Sequence, residues 1–106
     1  MKGKAFISQP MTGHSEEEIA AARKKAEARC LAMGYEVADT VFEQGDGSLD
    51  FQLEQLGKAL QVMARCKAVY FCRGWALSRG CRIEFDAAYA YKRKLYYEDV
   101  NDGETD

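Results

Sequence analysis

Proline is almost absent from this chain of 106 residues, with Pro10 the only one. A proline-rich linker is thereby excluded. Histidine is as scarce, His14 standing alone, and the four cysteines (Cys30, Cys66, Cys72, Cys81) form no Cys-x-x-Cys pair. That pattern argues against a His/Cys zinc cluster, so no metal is expected. It fits reduced, mostly buried thiols in a cytoplasmic protein. No apolar run nears the ~18 residues that cross a bilayer, so no membrane partner is expected. Ala5-Phe6-Ile7, after Met1-Lys2-Gly3-Lys4, is too brief for a signal-peptide core. An excess of one charge is missing too: 15 Lys and Arg face 17 Asp and Glu, for a net −2. This balance argues against a protein that coats polymeric nucleic acid through bulk charge.

What is present suits one ordinary globular domain: 47% hydrophobic and 30% charged residues. A domain this short buries only about two-thirds of its unfolded surface, so pairing with another copy would help it. A single domain over 1–97 is expected, with 98–106 an acidic, frayed tail.

Strand-like runs alternate with helical ones. Lys4-Ala5-Phe6-Ile7-Ser8 reads as a first strand. Ser15 and Glu18 fit a capping box, with three acids in the first turn to suit the helix dipole. Ile19, Ala22, Ala26, Cys30 and Met33 then share one buried face, and Gly34 stops the helix in the left-handed position. Tyr35 to Thr40 alternates as a second strand, and Gln44 to Ser48 is loop. Leu49, Leu53, Leu56, Leu60 and Met63 mark a second helix. Lys67 to Cys72 is a strand apolar enough to be covered on both faces. A third helix is expected from about Gly80 to Lys92, with Ile83, Ala87 and Ala90 inward, and Leu95-Tyr96-Tyr97 closes as a last strand.

This order predicts an α/β fold with a parallel sheet of strand order 2-1-3-4 and helices on both faces. In such sheets ligands bind beyond the carboxyl ends of the strands, where the winding reverses. The switch point lies between the first and third strands, so the loops after Ser8 and after Cys72 should build the site.

The first loop, Ser8-Gln9-Pro10-Met11-Thr12-Gly13-His14-Ser15, offers hydroxyls, a glycine and a helix N-terminus suited to a phosphate or a sugar hydroxyl. The same residues also make an ordinary polar turn. There is no Gly-x-Gly-x-x-Gly fingerprint and no Walker lysine. The second loop, Ser78-Arg79-Gly80-Cys81-Arg82-Ile83-Glu84, carries a hydroxyl, a glycine and then an acid. Gly80 stands four residues before Glu84 on the same helix face and leaves room for a ligand. The helix N-terminus should favour an ionised Glu84, as a carboxylate nucleophile requires, although a surface acid at a helix start is the plainer reading. Trp75 stacks on a base or packs at the sheet edge.

Ile7-Ser8-Gln9-Pro10-Met11-Thr12-Gly13, with Gly74-Trp75-Ala76-Leu77-Ser78-Arg79-Gly80-Cys81-Arg82-Ile83-Glu84 downstream, resembles the nucleoside 2-deoxyribosyltransferase-like superfamily, and most closely its short members known only as a domain of unknown function. The resemblance implies a flavodoxin-like fold acting on nucleosides or nucleotides at the N-glycosidic bond. Glu84 would then be the nucleophile. Ser78 and Gly80 would hold the sugar 5′ end or its phosphate, and Ser8, Thr12 and Gly13 would line the sugar pocket, with Gln9 and Trp75 also contacting substrate. Neither a metal nor an organic cofactor is needed, and a homodimer or higher homo-oligomer is expected. The chain departs from the family pattern at Gln9, where glycine is usual, at Ala59, where an aspartate assists the departing base, and at Lys67, often acidic. Asp39, Glu43 and Asp46 are the alternative acids. Two other readings stand beside the enzyme: a nucleotide-binding module without turnover, and an interaction protein using Tyr89, Tyr91, Tyr96 and Tyr97.

Overall fold

A computed structural model describes residues 2–39 and 45–98. Four strands, β1 (Lys4–Ser8), β2 (Glu36–Val37), β3 (Ala68–Phe71) and β4 (Lys94–Tyr97), alternate with three helices, α1 (Glu16–Ala32), α2 (Leu49–Met63) and α3 (Arg79–Ala90). The sheet is parallel throughout, in the order β2-β1-β3-β4. It is the expected α/β architecture. Ala5 pairs with Ala68 and Ala68 with Lys94, so the amino ends of the three longer strands lie abreast.

Local chemistry explains the helix limits. Ser15 Oγ accepts from the Glu18 N–H while the Glu18 carboxylate accepts from the Ser15 N–H, which completes the capping box. Gly34, at φ +94°, follows α1 in the left-handed region that a side chain resists. Ser48 and Ser78 cap α2 and α3 through their hydroxyls. The second strand is shorter than its alternating sequence suggests, although the chain still runs beside β1, with Ala38 N–H donating to the Ala5 carbonyl. Thr40 lies outside the described residues.

Strand alternation splits the core in two. Ala5 and Ile7 of β1 pack with Ala26 and Cys30 of α1, whereas Phe6 packs with Met63 of α2 and Ala88 of α3. So α1 covers one face and α2 with α3 the other. Beside Ala88, an aromatic group of Phe71, Trp75, Phe85 and Tyr97 fills the second face. All four cysteines are unpaired and buried, as read from the sequence.

Two helix faces differ from the sequence reading. On α2 only Met63 is buried, while Leu49 and Leu53 are 66% and 68% exposed. Length accounts for this: fifteen helical residues span about 22 Å, whereas β1 and β3 offer roughly 13–17 Å of strand beneath them. On α3 the buried stripe is Cys81, Glu84 and Ala88, and Ile83 and Ala90 face outward. The stripe is rotated by about one residue, which carries Glu84 inside. Of the tyrosines, Tyr89 and Tyr91 are exposed and Tyr96 and Tyr97 half-buried. Met63→Ala is expected to cost about 2–5 kcal/mol and Leu53→Ala under ~1 kcal/mol, measured by urea unfolding; equal costs would contradict this placement of α2.

Candidate functional site

Ser8 ends β1 with its side chain toward α3, and β1 is the inner strand where the order of winding reverses. Helix α3 begins beyond the carboxyl end of β3, with the Ser78 hydroxyl accepting from the Cys81 N–H at 3.4 Å. Two turns bring Glu84 down onto the sheet. There Ser8 Oγ donates to Glu84 Oε1 at 2.6 Å, the distance of a charge-assisted O–H···O bond. Ser8 is 1% and Glu84 8% exposed. Cys81, one turn earlier on the same stripe, is buried beside this pair.

Burial raises the Glu84 carboxyl to about 7, and the Ser8 hydrogen bond only partly offsets this. The expectation that the helix N-terminus holds Glu84 ionised therefore fails. The helix field fades within the first turn, and Glu84 is the sixth residue of α3, out of water. Burial is the larger influence on this carboxyl and the Ser8 hydrogen bond the smaller, opposing one. Burial likewise raises the Cys81 thiol and lifts that of Cys72 to about 12, so both stay protonated at neutral pH.

The structure brings Ser8 and Glu84 into contact, whereas Ser78 is engaged as the cap of α3. Gly80 lies one turn before Glu84, and a Cβ there would meet nothing within 4 Å. Thr12 and Gly13 are exposed in the first loop. Gln9 turns the other way, its Nε2 donating to the Ile19 carbonyl of α1 at 2.7 Å. Trp75 is half-buried, 4.9 Å from Phe85 and 5.0 Å from Phe71 between ring centres, which is packing. Ala59 packs against the apolar cluster under α2. Of the alternative acids, Asp39 is exposed, and Glu43 lies outside the described residues. The exposed Asp46 carboxylate accepts from the Ser48 N–H, which holds it below the usual carboxylate range and makes it a poor proton donor.

Sequence reasoning missed Cys81 as a buried neighbour of this pair and Glu98 as an anchor. Glu98 is not frayed: its N–H donates to the Phe71 carbonyl, and its carboxylate accepts from the Arg73 N–H and pairs with Lys25 at 3.1 Å. Although burial opposes ionisation, those partners hold it below the usual range. No local pattern announces such a pairing, because the partners come from two distant segments, the end of β3 with the turn after it, and α1.

The raised carboxyl makes a stability prediction with a definite sign. In the unfolded chain Glu84 loses its proton near 4.5, but in the folded protein only near 7. Stability is therefore greatest below the lower value and falls as pH rises through the upper one. Glu84→Gln, which cannot ionise, should be more stable than wild type at pH 8 by roughly 2–3 kcal/mol, with the gap closing near pH 4. Urea unfolding at both pH values checks this; a gap independent of pH would refute the buried-acid assignment.

No curated protein and no solved structure matches the chain. A family match does cover every strand and helix just described. Matched over residues 3–97, the chain belongs to the family described as a domain of unknown function, DUF4406.

Proposed function

We propose that the protein cleaves the N-glycosidic bond of a nucleoside or nucleotide, or transfers its deoxyribosyl group, with Glu84 as the nucleophile. One observation carries the reading: a buried carboxyl, hydrogen-bonded to Ser8 at 2.6 Å, beyond the carboxyl end of the inner strand where parallel sheets bind ligands. The resemblance of the two loops to nucleoside 2-deoxyribosyltransferase-like proteins supplies the substrate class. Open space above Gly80 supports entry of a sugar from that side.

In the proposed step an ionised Glu84 oxygen attacks the anomeric carbon. The C–N bond breaks, and its electron pair leaves with the base, which takes up a proton. Water or a second base then adds to the same carbon and frees the carboxylate, retaining the anomeric configuration. Ser8 orients the carboxylate and favours its charged form. Rate should accordingly rise with pH through about 7, as Glu84 loses its proton.

A second reading has its own support. Glycosidic cleavage ordinarily uses two carboxyls, whereas Ala59, where an aspartate would assist the departing base, packs against the apolar cluster. Loss of a general acid typically costs ~100-fold to 10,000-fold, which would leave a nucleotide-binding module with little turnover. A panel of deoxynucleosides and their 5′-monophosphates separates the two. The enzyme reading expects free base from wild type and none from Glu84→Gln; the binding reading expects ligand-dependent thermal shifts without base release. A panel that gives neither overturns both.

A further inference from the structure

Helix α2 carries an apolar seam that its own fold leaves largely uncovered. Leu49, Leu53, Leu56, Leu60 and Met63 follow one another at intervals of four, three, four and three residues. That is the spacing of a helix packed along its whole length against a second helix. Met63 is buried, Leu56 and Leu60 are half-buried, and Leu49 and Leu53 are exposed. Gly57 lies one turn from both Leu53 and Leu60, exposed in the middle of the helix. A Cβ there would meet nothing within 4 Å, so no neighbour among the described residues requires a glycine. Glycine weakens a helix relative to alanine, and what it gives in return is room for another backbone.

The seam ends in a hollow of about 290 Å³. Leu60, Met63 and Ala64 form the α2 wall, Ala87 and Tyr91 the α3 wall, and Arg93 supplies a positive charge. An apolar side chain beside an acid complements it. The opposite end of α2 presents that pair, Leu49 and Asp50, both exposed. A two-fold axis brings the start of one α2 onto the end of the other, with the two helices antiparallel. The crossing then falls at Gly57, and Leu53 of each copy faces Leu60 of the other. Opposed helix dipoles favour this direction, whereas a parallel pair sets Asp50 and Glu54 against their own copies. Laid along the ~22 Å of α2, the contact buries on the order of 600 Å² per copy, at the lower end of specific interfaces.

We propose that a second copy of this chain covers the α2 face, the two α2 helices packing antiparallel across Gly57 with Leu49 of each entering the hollow of the other. Asp50 then meets Arg93 at both ends of the contact. The interface uses neither Ser8 nor Glu84, so it stands whether or not Glu84 is a nucleophile.

Sedimentation equilibrium of the full chain tests it, with circular dichroism confirming that each variant folds. Wild type should form a species of twice 11.9 kDa, with a dissociation constant on the order of 10 µM. Leu53→Glu, which sets a charge in the seam, should weaken association by at least about a hundredfold. Gly57→Gln should weaken it roughly tenfold while making the dilute monomer more resistant to urea, because glutamine is the better helix former. A merely structural glycine would not move the two readings in opposite directions. Asp50→Arg and Arg93→Asp should each cost about tenfold, and the two together should recover most of that loss. A chain that stays monomeric at about 200 µM leaves the face to a different partner and overturns the proposal. So does a dimer that tolerates Leu53→Glu or Gly57→Gln, or a double exchange that recovers nothing.

Discussion

The hydrogen bond from Ser8 to Glu84 is the contact around which this protein is arranged. A carboxyl group taken out of water must hold its proton longer or find a donor, and Glu84 does both. Burial alone favours the neutral acid strongly; the Ser8 hydroxyl pulls the balance back until the group titrates near neutral pH. A fully exposed carboxylate would be ionised but unremarkable as a nucleophile, and one buried without a donor would stay protonated. The intermediate state exists because a strand end and a helix stripe meet at one point. It also loads the native state with a destabilising charge that the surrounding core has to offset.

The sheet sets where such a point can lie. Parallel strands send every helix N-terminus and every strand C-terminus to the same edge, so β1, β3 and the start of α3 converge there. Short strands under longer helices leave α2 overhanging the sheet, which explains why Leu49 and Leu53 stay uncovered among the described residues while Met63 is core. Because β1 is an inner strand with both faces packed, its last residue and the one after it reach different chemistry. Ser8 joins the acid under α3, and Gln9 joins α1 and the cavity beside it.

Much of the fold was legible because its signals are local. Ser15 with Glu18 announced the start of α1, Gly34 its end, and the span Lys4–Ser8 was read to the residue. Strand order followed from the alternation of elements, since parallel crossovers admit few arrangements. The inward face of α3 was not legible. Ile83, Ala87 and Ala90 look like the apolar stripe, and by composition Cys81, Glu84 and Ala88 do not, because one of the three is an acid. Periodicity describes a helix equally well in either phase; the aromatic group around Phe71 and Phe85, assembled from distant segments, selects the second. Glu84 was singled out from its loop, but its burial under α3 was not foreseen.

What the sequence alone determined is thus the order of elements, their caps, the parallel sheet and the two loops that carry polar residues. These depend on interactions spanning a few residues, and every participant can be read in line. Tertiary structure decided the rotation of α3, the titration of Glu84, the anchoring of Glu98 by Arg73 and Lys25, and the side of the sheet to which Gln9 belongs. Each of these depends on desolvation or on a hydrogen bond between residues far apart in the chain, and neither exists until the sheet has closed against its helices.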